Sequence, residues 1–124
     1  MPVSQIFDVG QLAKYFALID ICGSQHGLIW HNQRMYFNPS SGLLEPIGFD
    51  AYTDQGALSL SNQAFWGAYG INNLNASNQF QYLLFTDEVL YNKYIYYLEK
   101  YSSEEFLNEF LKTISSNLIK YKNY

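Results

Sequence analysis

"HGLIWHNQRMYFNPSSGLLEPIGFDAYTDQG", residues 26 to 56, is the stretch on which the reading of this chain turns. Residues 28–31 and 33–37 are rich in Ile, Trp, Tyr and Phe and read as extended, while "NPSSG" at 38–42 carries turn chemistry at nearly every position. The apolar run at 43–48 closes a hairpin, which ends by delivering Asp50 into a loop that holds a second carboxylate, Asp54. No Lys or Arg lies between Met35 and Asn92, so neither aspartate has a salt-bridge partner nearby in sequence. Such carboxylates are either solvated or aimed at a cation. Magnesium takes one or two carboxylates and completes its shell with water and phosphate oxygens, so a loop aspartate at a strand end suits it. Spacing alone leaves both readings open.

Outward from the hairpin the chain reads as helical. Asp8 and Gln11 have capping-box spacing, and Leu12, Tyr15, Phe16 and Ile19 recur at helical intervals, which predicts a helix over 9–22 stopped by Gly23. From Tyr52 to Gln81 the sequence is rich in Asn, Ser, Gly and Gln, with a short helix expected near 61–69. Thr86 or Asp87 can cap a helix to Tyr101 that carries Leu90, Tyr94, Tyr97, Leu98 and Tyr101 on one face. Ser102 and Glu105 form a second capping box. The stripe Leu107, Phe110, Leu111, Ile114, Leu118 and Tyr121 then predicts a docked final helix with Leu111 in the core. The expected fold class is α+β, a small β-hairpin packed with several helices, and residues 1–124 form one domain or a piece of a larger one.

Bulk properties narrow the function. With 48% apolar residues the chain can bury a core, and the 19% aromatic share, twelve of it Tyr, must fill that core, an interface, or both. Trp30, Tyr36, Tyr52, Trp66 and Tyr69 are candidate stacking rings, and a homo-oligomer is one way to cover such surface. Net charge is −4 with Arg34 as the single arginine, so no basic patch is available to a nucleic acid. No stretch approaches the roughly 18 apolar residues of a membrane span, and the chain reads as soluble. Cys22 sits in the run "YFALIDIC" and reads as a small buried side chain, and one cysteine gives no disulfide framework. His26, His31 and Asp50 together could suggest zinc, but a five-residue His spacing suits neither a helix face nor a strand face.

The order helix, short loop, Asn at a strand start, "NP..G" turn and an apolar strand delivering Asp resembles the C-terminal lobe of the CotH (spore-coat protein H) kinase family. That family's pattern runs roughly "HN.Y.Y.DP.TGK..FIPWD.D..FG", beside "HNQRMYFNPSSGLLEPIGFDAYTDQG" here. The resemblance covers about residues 9–56, and the helical sequence from "FTDEVLYNKY" onward is similar to the helices that follow in the family. It implies an atypical protein-kinase fold that transfers phosphate from Mg-ATP to a protein hydroxyl. Asp50 falls at the metal-binding aspartate and Asn32 at the catalytic-loop asparagine, whose carboxamide oxygen takes a second metal. A spore-coat, cell-surface or secreted parent is implied on the same footing.

The departures are as informative. A kinase's catalytic aspartate lies about five residues before that asparagine, where this chain has Gly27. His26 is the titratable group nearest the missing base, and an imidazole can accept a hydroxyl proton at neutral pH; its other reading is a loop histidine bonded to backbone. The family's aspartate two residues past the metal ligand is Tyr52 here, and Asp54, four residues on, is a substitute ligand that no motif assigns. No glycine-rich phosphate loop or strand lysine precedes the first helix, so an N-lobe is expected to be absent and the chain alone inactive. The alternative expectation is a non-catalytic, pseudokinase-like module that binds protein or carbohydrate through its aromatic residues.

Overall fold

A computed structural model describes residues 1–28, 31–50 and 79–122 of the chain. Its first helix, α1 (Val9–Ile21), starts where Asp8 stands in extended backbone and accepts the Gln11 backbone N–H at 2.9 Å, which satisfies one of the helix's unpaired amide groups. It ends at Cys22, and Gly23 supplies the left-handed φ of 62° that reverses the chain. Cys22 is exposed at this helix end rather than buried as expected, because the cap carries it past the last core-facing turn.

Leu12, Ala13, Phe16 and Ala17 of α1 are fully enclosed. Two further helices close over them: α2 (Gln79–Phe85), which was not anticipated, and α3 (Glu88–Ser102). Asp87 caps α3 as anticipated, accepting from the Leu90 N–H at 3.0 Å. Its other carboxylate oxygen takes the backbone N–H of Val3 at 3.1 Å, which fastens the start of the chain to α3. The face read from the sequence points inward, with Leu90 and Tyr94 buried and Tyr97, Leu98 and Tyr101 packed against the core. Phe16, Phe85 and Tyr94 meet edge to face at 5.0 and 4.9 Å, so one aromatic chain joins α1, α2 and α3. Beneath it the Tyr94 hydroxyl donates to the buried Asp20 carboxylate at 2.6 Å.

Strand β1 (Arg34–Asn38) pairs antiparallel with β2 (Leu43–Ile47), with Arg34 opposite Ile47 and Asn38 opposite Leu43. Gly42, at φ 72°, makes the turn. The N-terminal segment lies along the outer side of β2: the Leu44 N–H donates to the Ile6 carbonyl at 2.8 Å and the Asp8 N–H to the Leu44 carbonyl at 2.9 Å. This stitching holds the hairpin against α1. The strand expected over 28–31 is corrected at the residues the structure describes. Leu28 ends a 3-10 turn over Gln25–Leu28 and His31 sits in a turn, because Gly27 favours chain reversal over extension.

The last helix, α4 (Glu104–Lys122), differs most from expectation. Its cap is Ser103, whose hydroxyl accepts from the Phe106 N–H at 3.2 Å; Ser102 instead donates back into α3. Phe106 leans on Tyr101, with ring centres 4.9 Å apart, yet every other residue from Glu104 to Ile119 is exposed. Leu111 is half exposed and is not a core residue. The helix expected near 61–69 and the rings Trp30, Tyr52, Trp66 and Tyr69 lie outside the described residues. No helix among the described residues is long and apolar enough to cross a membrane.

Candidate functional site

Both ends of the hairpin leave it on the same side, so Asn32, two residues before β1, and Asp50, three residues after β2, come together. The turn Gln25–Leu28 brings His26 to the same place. Asn32 is the buried member, 5% exposed, and its side-chain amide donates to the His26 carbonyl and to Asp50 Oδ2, each at 3.1 Å. Both of those oxygens can only accept, so the face that Asn32 turns toward them is its NH2. His26 Nδ1 lies 3.3 Å from Asp50 Oδ2 and 3.3 Å from the Asp50 carbonyl. Asn32 Nδ2 also lies 3.0 Å from His26 Nδ1, so the three side chains form one hydrogen-bonded cluster.

Asp50 holds this position at a backbone cost. Its φ of 49° lies in the left-handed region, which Asp tolerates better than most residues because its short side chain bonds locally. Residues held this way cluster at functional sites, where surrounding contacts fix them. Here those contacts are Asn32, His26 and the Arg34 guanidinium stacked 4.8 Å from the Phe49 ring. The carboxylate that looked unpartnered in the sequence therefore accepts from the Asn32 amide and lies against the His26 ring, partners that a count of Lys and Arg would not reveal.

Gly27, where the resemblance asks for a carboxylate, is buried, and its carbonyl accepts from the Tyr15 hydroxyl at 3.2 Å. Burial raises the Tyr15 phenol above its ordinary range, so it stays a protonated donor. Tyr15 also lines an open cleft of about 340 Å³ with Gln11, Lys14, Leu18, Glu45, Pro46 and Tyr101.

Of the residues named from the sequence, His26, Asn32 and Asp50 converge, while Asp54 lies outside the described residues. Among the described residues, no group of three or more His, Cys, Asp and Glu side chains could hold a metal ion, so the zinc reading of His26, His31 and Asp50 gains nothing. Of the donors implied for magnesium, the Asp50 carboxylate fits, with its side chain 41% exposed. Asn32 as oriented does not, since it presents nitrogen where a ligand oxygen is required. Tyr15 was read only as part of a helical stripe, not as the donor to Gly27, and Asp20 went unnoticed in the sequence. An acid four residues after Phe16, on the core-facing stripe, was the available signal for Asp20. The chain matches no protein-family model, and no curated protein or solved structure is significantly similar to it.

Proposed function

We propose that this chain is the C-lobe portion of a CotH-like atypical protein kinase, whose full-length parent transfers phosphate from Mg-ATP to a protein hydroxyl. One observation carries the reading: Asn32 and Asp50, singled out by the resemblance, and His26, the titratable group nearest the missing base, meet within 3.3 Å although 24 positions separate His26 from Asp50. Helix, turn, asparagine, hairpin and aspartate also follow one another in the family's order. Magnesium, when bound, neutralises charge on the transferred phosphoryl group. Asp50 would hold it, and Asn32 would act by fixing the Asp50 carboxylate. His26, beside Asp50, would supply the imidazole that accepts a hydroxyl proton. A kinase site is closed by a second lobe, so this chain supplies one wall of it. A spore-coat or cell-surface setting for the parent belongs to the same proposal.

A second reading, a non-catalytic module that binds protein or carbohydrate, draws support from Gly27. A carboxylate at that buried position would have to be desolvated beside a carbonyl already engaged by Tyr15. Titrating magnesium and then an adenine nucleotide, with Tyr and Trp fluorescence followed for wild type and Asp50→Asn, separates the two. The kinase reading expects a saturable magnesium-dependent response that Asp50→Asn loses. Identical responses, or none in either protein, would leave the interaction module.

A further inference from the structure

Helix α4 carries an apolar stripe that no other part of the described structure covers. Leu107, Phe110, Leu111 and Leu118 are each 50–56% exposed and Ile114 is 38% exposed. Four of them, Leu107, Leu111, Ile114 and Leu118, recur at alternating steps of four and three, the spacing of a two-helix seam. A 19-residue helix with one half-buried ring at its start is marginal in water, because its stability ordinarily comes from packing an amphipathic face.

Charge on the helix says what fits there. From Glu104 to Glu109 it carries three acids and no base; from Lys112 to Lys122 it carries three bases and no acid. A parallel pair would set acid against acid and base against base. An antiparallel pair of the same helix sets the acidic end of each against the basic end of the other and opposes the two helix dipoles.

We infer that α4 is a homodimerisation element, pairing antiparallel with α4 of a second copy of this chain. The register that keeps the seam apolar puts Leu107 against Leu118 of the partner subunit and Leu111 against Ile114 of the partner subunit. Two-fold symmetry repeats both layers, so four apolar layers form from one stripe. The site at His26 and Asp50 takes no part in this contact, and the inference stands or falls independently of the kinase proposal.

Sedimentation velocity on the full chain across a concentration series tests it. The expected result is a reversible monomer–dimer equilibrium with a thermal midpoint that rises with concentration. Leu111→Glu should weaken it by on the order of tenfold or more while leaving the far-ultraviolet circular dichroism of the monomer intact, since Leu111 is half exposed and outside the core of the described residues. Orientation is read by crosslinking in a Cys22→Ser background: Leu107→Cys should crosslink on mild oxidation with Leu118→Cys from a second chain and not with itself. A monomer at every concentration, a dimer indifferent to Leu111→Glu, or self-crosslinking of Leu107→Cys overturns the inference. A monomer would assign the stripe to another segment of this chain or to a different protein.

Discussion

Asp50 combines two unfavourable features, a left-handed backbone and a carboxylate to which, among the described residues, no lysine or arginine is bonded, and Asn32 and His26 offset them. Backbone and side-chain contributions can be separated. Asp50→Ala loses the bonds from Asn32 and His26 and forces a Cβ-bearing residue without local hydrogen bonding to hold φ 49°, at a cost of about 1–2 kcal/mol. Asp50→Gly loses the same bonds but relaxes the backbone, so urea denaturation should find it more stable than Asp50→Ala. The reverse order would mean that the left-handed turn is not under strain. Tyr94→Phe is the second informative residue. It strips a 2.6 Å hydrogen bond from a buried carboxylate and should cost about 1–3 kcal/mol, read as a lower denaturation midpoint with unchanged slope.

Among the elements, α1 and α4 show what apolar periodicity can and cannot tell. Both were legible as helices, since Asp8 and a serine near 102 announce their starts and apolar residues recur at helical spacing. Periodicity reports that a face is apolar, not what lies against it. Leu12 and Leu111 look alike in sequence, yet one is enclosed and the other half exposed. Leu12→Ala should therefore destabilise the chain by about 2–5 kcal/mol. Leu111→Ala, measured at concentrations where the chain is monomeric, should cost well under 1 kcal/mol. Comparable losses from both would show α4 docked on its own chain. Strand β1 was readable from its rings and the "NPSSG" turn, but Leu28, read as the start of an extended run, ends a turn that buries its side chain without extending the backbone.

At the scale of the whole molecule the α+β class was legible, and Asn32, Asp50 and the titratable group nearest Gly27, His26, were named before the structure brought them together. Hairpin register accounts for Asn32 and Asp50 meeting, since a turn at 38–42 returns the chain to where it entered. Nothing in the residues themselves says that Asn32 offers its NH2 or that Tyr15 fixes Gly27, because these depend on which acceptors the fold brings near.

The Tyr94–Asp20 bond joins residues 74 positions apart, and the Val3–Asp87 bond spans 84. The hairpin pairs residues close in sequence, whereas these bonds tie distant parts of the chain, and contacts of that kind slow folding because loop closure precedes any reward. A change at Asp20 or Tyr94 acts on the long-range closure itself, while a change in the "NPSSG" turn acts on a step that can be completed and undone many times before the two ends of the chain find each other.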